Sequence, residues 1–306
     1  MNKNARLCHF ALQRTIINAL LACFTALWSS TITAQNDAVF KMTKENGHFY
    51  FDADVNGAKA KLMLESGIPG FMIGESFYEA HKEELKLDVK ESTERIRFLS
   101  GMRQVKLTAQ ARLCIGDAVF EGPIKIIKGN EDLKIPIQML FHASDGSNIV
   151  KIDLKNSEFS VVSSANLQNY AKDATSLDLS FNKWNMPIVN TRLTMDIDGR
   201  TVGIKGNFIA DMGNASLLFL NKSQSSVIKM LNEERLRLQE ARDTKGRVVA
   251  EGLYAKKLTI CGRTYHEVSV GVNPFNSLNE CGFLGLKFFT MPTIFDFGNN
   301  KLYLCK

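Results

Sequence analysis

Two short segments of the chain carry residues suited to acid–base chemistry. Glu65 ends the run Leu62-Met63-Leu64-Glu65-Ser66-Gly67, and Asp211 sits in Phe208-Ile209-Ala210-Asp211-Met212-Gly213. In each, apolar residues lead to an acid, then one residue, then glycine. Two carboxyl groups brought within a hydrogen bond of each other cannot both ionise, so they share a proton. One can then activate a water while the other polarises a carbonyl. The glycine after each acid lets the backbone turn sharply and approach a partner loop. Ser66 adds a hydroxyl that can donate and accept between loops.

The acids belong to two copies of one unit. Gly67 and Gly213 are 146 positions apart, and Leu113-Cys114-Ile115-Gly116 matches Thr259-Ile260-Cys261-Gly262 at that same offset. Ile152-Asp153-Leu154-Lys155-Asn156 resembles Phe295-Asp296-Phe297-Gly298-Asn299 with an offset of 143. The elements that must hold the acids are strand-rich. Asn56-Gly57 and Asp198-Gly199 are hairpin turn signals at equivalent places. Helical spacing is expected over Glu75–Leu87 and again over Gln224–Ala241. Residues 163–185 are polar and weakly patterned, as suits a connector between lobes.

At Glu65-Ser66-Gly67 and Asp211-Met212-Gly213 the chain resembles the retropepsin-like and pepsin-like aspartic peptidases. In that family each lobe brings a strand ending in Asp-Thr/Ser-Gly, a flap hairpin, and a hydrophobic-hydrophobic-Gly element behind the catalytic loop. The second half supplies Phe283-Leu284-Gly285-Leu286 and Phe288-Phe289, and closes with Ile294–Phe297 and Lys301–Leu304. The resemblance implies a mostly β fold: two tandem retropepsin-like β-barrel lobes in a pepsin-like bilobal architecture with a central cleft. It implies lobes over 35–165 and 186–306 joined by a connector at 166–185. It makes Glu65 and Asp211 the catalytic pair, with Ser66, Gly67, Met212 and Gly213 as supporting loop residues. Flap tips fall at Ser100-Gly101 and Lys245-Gly246. No cofactor is implied, and two lobes in one chain imply a monomer.

The chain departs from the family pattern at three positions. Glu65 replaces an Asp; its intrinsic acidity is weaker by only about 0.4 units. The added methylene matters more, since a misplacement of about 1 Å can cost roughly a hundredfold in rate. Met212 replaces a Thr or Ser and cannot donate the interlobe hydrogen bond. Gln138, within Ile137-Gln138-Met139-Leu140-Phe141, stands where the packing glycine belongs, so the first lobe reads as worn.

Two functions follow. One is a binding module that grips an extended peptide or protein ligand in the cleft, its catalysis impaired or absent. The other is an active aspartic endopeptidase in which Glu65 and Asp211 activate water for peptide-bond hydrolysis.

The remaining composition narrows these. Lys3, Arg6 and Arg14 precede an apolar run from Thr15 to Trp28 and small residues up to Ala34. Residues 1–34 therefore read as a signal peptide, and the protein as periplasmic or extracellular. Lipoprotein anchoring at Cys23 is the lesser alternative. The run is too short and interrupted for a membrane span. Losing three basic and no acidic residues lowers the formal charge from +6 to +3, and no dense Lys/Arg stripe argues for nucleic acid. Cys114, Cys261, Cys281 and Cys305 remain, with Cys281–Cys305 a conceivable disulfide and no C-x-x-C pair for zinc. His48, His81, His142 and His266 are scattered, without metal-ligand spacing. Asp52, Asp54, Asn56 and Gly57 open like a calcium loop, but the twelfth position is Met63 where Glu is required. Ser66 lacks the G-x-S-x-G context of a serine nucleophile.

Overall fold

The computed structural model describes residues 37–98, 101–140, 143 and 145–306. The expected signal peptide, Cys23, Ser100 and His142 lie outside them. The chain is mostly β, as expected, and its strands form two barrel-like halves. In the first, the hairpin His48–Val55 and Ala58–Glu65 leads to Leu133–Pro136, then Phe71–Gly74, Ala118–Ile127 and Gly101–Ile115. That last strand returns to the first through Asp54↔Cys114 and Val55↔Leu113, closing the barrel. In the second, Pro187–Ile197 and Arg200–Ala210 lead to Gly282–Leu284, Leu218–Asn221, Arg263–Asn273 and Val248–Ile260. Closure comes from the same pairing, with Leu193↔Ile260 to Asp196↔Lys257. Both hairpins turn as their residues predict. Asn56 and Gly57 take φ of 50° and 100°, and Asp198 and Gly199 take 51° and 75°, the conformations of a primed two-residue turn. Asp54 Oδ1 accepts from the Gly57 N–H, so the calcium-like residues are spent on that turn.

A third sheet region joins the halves. Ile149–Asp153 pairs antiparallel with Thr293–Asp296, so that Val150 faces Phe295 and Ile152 faces Thr293. These are one contact made twice across a local twofold. The strand Thr175–Phe181 extends this sheet beside Lys301–Leu304, and Ser164–Ala171 is helical. The expected connector, 166–185, thus contains the end of that helix and this strand. One apolar core, including Phe51, Phe159, Phe208, Phe288 and Phe295, runs through both halves.

Several local expectations need correction. The first helix breaks into Glu75–Ala80 and Lys82–Leu85 around His81, whose φ of −118° is not helical. The second spans only Ser225–Glu233. Arg235, at φ 50°, ends it, and Gln239–Arg242 becomes a strand. Leu236 and Leu238 still pack on the core, but from the loop; their apolar spacing mimicked helical periodicity. Cys281 and Cys305 are not bonded to each other. Cys281 Sγ lies 3.3 Å from Ser226 Oγ, and Cys305 Sγ faces the Tyr170 carbonyl, so each thiol has its own partner.

Candidate active site

Two parallel pairs, buried along their paired residues, bring the acids forward. Ala58–Glu65 runs beside Leu133–Pro136, with Pro136 opposite Glu65. Arg200–Ala210 runs beside Gly282–Leu284, with Leu284 opposite Ala210. Buried parallel strands read as continuous apolar runs, which is why both acids follow unbroken hydrophobic residues. The next backbone step holds Asp211 itself, its N–H donating to the Leu284 carbonyl at 2.8 Å.

The two loops meet. Glu65 and Asp211 are 5% and 6% exposed, and their carboxyl groups meet at the Gly213 N–H, which donates to an oxygen of each. Burial, the Glu65 charge and hydrogen bonding to Glu65, in this order, push the Asp211 carboxyl well above the ordinary range. The Gly213 N–H and the Lys134 charge oppose the shift. Glu65 Oε1 accepts from the N–H groups of Ser66 and Gly67 at 2.9 Å and from Gly213 across the interface at 3.1 Å. The Gly213 N–H also reaches Asp211 Oδ1, at 3.2 Å. Asp211, favoured in its protonated form, thus shares the Gly213 N–H with a Glu65 oxygen that accepts from three backbone donors.

Gly67 and Gly213 are needed for close approach. A Cβ on Gly213 would lie 1.8 Å from Glu65 Oε2, and one on Gly67 would lie 2.6 Å from Asp211 Oδ1. Each glycine thus makes room for the other half's acid. The loop tie is one-sided. Ser66 Oγ donates to the Ala210 carbonyl at 2.8 Å and accepts from the Met212 N–H at 2.9 Å. Met212, with its thioether buried in the core, provides no return bond.

Gln138, standing where the packing glycine was expected, is built into the loop contacts. Its Nε2 donates to the carbonyls of Ser66, Ile68 and Asn185 at 3.2 to 3.3 Å. In the second half Gly285 lies so close that a Cβ would meet the Asn214 and Ser216 carbonyls, and the Leu286 N–H donates to Asn214 at 2.7 Å. Side-chain amide in one half and backbone in the other brace equivalent loops. Lys134 was also missed. It is 8% exposed, 3.8 Å from Glu131, and its ammonium lies 5.6 Å from the Phe98 ring centre. A lysine inside the apolar run Leu133–Pro136 was the available signal, since buried lysines are rare unless paired.

Arg95–Phe98 and Gly101–Ile115 form a hairpin, with Gly101 at φ 119° just past its tip. Ile96, Val105 and Phe98 pack with Ile68, beside the Glu65 loop. Lys245 and Gly246 top the second hairpin, where Asp243 Oδ1 caps the turn through the N–H groups of Lys245 and Arg247. Among the described residues no hydrogen bond or ion pair ties that tip to the acids. No group of three His, Cys, Asp or Glu side chains suited to a metal occurs among the described residues. No helix among them is long and apolar enough to cross a membrane.

No protein-family model matches the chain, and no curated protein matches it. A solved structure does. The crystal structure of the aspartic proteinase from Irpex lacteus aligns with 88% of this chain and 97% of its own, at a TM-score of 0.55 and 11% identity. The fold is thus that of a pepsin-like aspartic proteinase. Identity at that level carries the architecture and nothing further about what the chain does.

Proposed function

We propose that the chain is an acid endopeptidase that hydrolyses extended peptides with Glu65 and Asp211. The observation that supports this most directly is the buried carboxyl pair brought together at the Gly213 N–H, with Asp211 pushed toward its protonated form. Glu65 takes a proton from water as the water oxygen attacks the scissile carbonyl carbon, while Asp211 gives its proton to the carbonyl oxygen. A gem-diol results. Glu65 then returns a proton to the amide nitrogen, the C–N bond breaks, and Asp211 recovers its proton as the new carboxyl forms. Strand-rich walls and a hairpin beside Glu65 suit a substrate held through backbone hydrogen bonds. The leader-like residues 1–34 support action outside the cytoplasm, and the paired lobes support a monomer.

Asp211 must be protonated to act, and its acidity is weakened in the fold. Activity is therefore retained above the ordinary carboxylate range and lost as pH rises through the Asp211 titration. Stability follows the same sign: a raised folded-state value favours the fold at low pH and is lost as pH rises. Cleavage of a peptide library from about pH 3 to pH 7 by the parent and Asp211→Asn tests both, alongside melting curves. The expected result is cleavage in the parent alone, reduced about 10³-fold or more in the variant, with the pH slope of melting flattened. Equal cleavage in both chains would remove Asp211 from the mechanism.

Met212 favours a second reading. Without the return bond, and with the longer Glu65, the loops are less firmly set than in the family pattern, and the cleft then serves binding alone. Peptide capture that survives Asp211→Asn, from a folded parent without cleavage, would select it.

A further inference from the structure

Apart from the paired acids, the second half contains a cavity of about 230 Å³. It lies between the turn joining Thr175–Phe181 to Pro187–Ile197 and the residues that precede Gly282–Leu284. None of its lining residues belongs to the Glu65 or Asp211 loops. Its walls hold Phe181, Asn182, Lys183, Trp184, Asn207 and Glu280.

Two of its polar groups lack partners. Glu280 is 7% exposed, and its Oε2 is buried without a hydrogen bond among the described residues. No ion pair among the described residues reaches this carboxylate. Asn182 is fixed in orientation, its Oδ1 accepting from the N–H groups of Trp184 and Met186 at 3.0 and 3.1 Å. That leaves Asn182 Nδ2 buried and unused. A buried carboxylate without a donor is costly, and a cation or strong donor is what relieves it. Trp184, in the lining of the same cavity, already receives a cation: Lys183 Nζ lies 4.3 Å from its ring centre. Aromatic faces next to a carboxylate are the surroundings that hold organic ammonium groups.

We propose that this cavity binds a small organic ammonium compound, its cationic head between Glu280 and the Trp184 indole. Asn182 Nδ2 donates to any acceptor the ligand carries. Lys183 is the internal occupant of the indole face, and a ligand competes with its ammonium. The site is independent of peptide hydrolysis, so its test does not depend on the cleft.

The test uses the full chain carrying Trp28→Phe, which leaves Trp184 as the sole tryptophan. Its fluorescence is followed during titration with tetramethylammonium and ethylammonium chloride, against sodium chloride at matched ionic strength and against glucose. The expected result is a saturable change with the ammonium salts only, half-complete on the order of 1 mM. Glu280→Gln should weaken it about tenfold or more, and Lys183→Ala should tighten it. No saturation with ammonium salts, saturation with glucose alone, or unchanged affinity in Glu280→Gln would each overturn the proposal. If Glu280→Gln does not fold, Lys183→Ala decides: tightening supports the ammonium seat, and weakening points to an anionic ligand and overturns it.

Discussion

The interlobe turns and the carboxylate loops are both duplicated, yet they have diverged to different degrees. At the turns, Asn156 bonds Asp153 through backbone and side chain at 3.1 and 2.8 Å, and Asn299 bonds Asp296 at 3.0 and 2.8 Å. Residue types and geometry coincide. At the carboxylate loops, Glu faces Asp, Ser faces Met, and Gln138 answers Gly285. The turns serve one purpose twice, so nothing separates them. The loops meet each other rather than a copy of themselves, so a change on one side is absorbed on the other. The longer Glu65 reaches the Gly213 N–H, Ser66 alone makes the hydroxyl tie, and the Gln138 amide takes over carbonyls that backbone packing serves in the other half.

The asymmetry can be attacked in order of expected effect. Gly213→Ala meets the Glu65 carboxyl group and should lower unfolding free energy by about 3 kcal/mol in urea titrations, against about 1 kcal/mol for Gly67→Ala. The reverse order would mean that Asp211, not Glu65, is the more tightly seated acid. Ser66→Ala strands the Ala210 carbonyl and the Met212 N–H, and should cost about 2 kcal/mol by the same measurement. Its companion, Met212→Thr, supplies the missing hydroxyl and should raise kcat/KM for peptide cleavage about tenfold; a fall would show that the thioether packing outweighs the second tie. Gln138→Ala should cost about 1 kcal/mol and lower kcat with little change in KM. An unchanged kcat would reduce Gln138 to filler.

Much of this was legible because the repeat carries it. Turn chemistry at Asn56-Gly57 and Asp198-Gly199, and apolar runs ending in an acid, fix both hairpins and both loop positions from residue type alone. The contacts of Gln138 were not legible, because its amide reaches three carbonyls 47 to 72 positions away. The second helix was overextended because Leu236 and Leu238 are apolar for tertiary reasons, and a single residue at positive φ ends the helix before them. Glu280 and Trp184 come together only through sheet order, which no local pattern announces.

Ser66 joins Ala210 and Met212 across 144 and 146 positions of chain, which bears on how the molecule folds. Contacts of such separation form late, because a long loop must close before they repay it. Either half folded alone would hold one acid without its partner. The proton-sharing pair arises only when the halves dock, so the weakened acidity of Asp211 doubles as a signal that assembly is complete. A chain stalled with its halves apart would carry both acids and lack the pair they form.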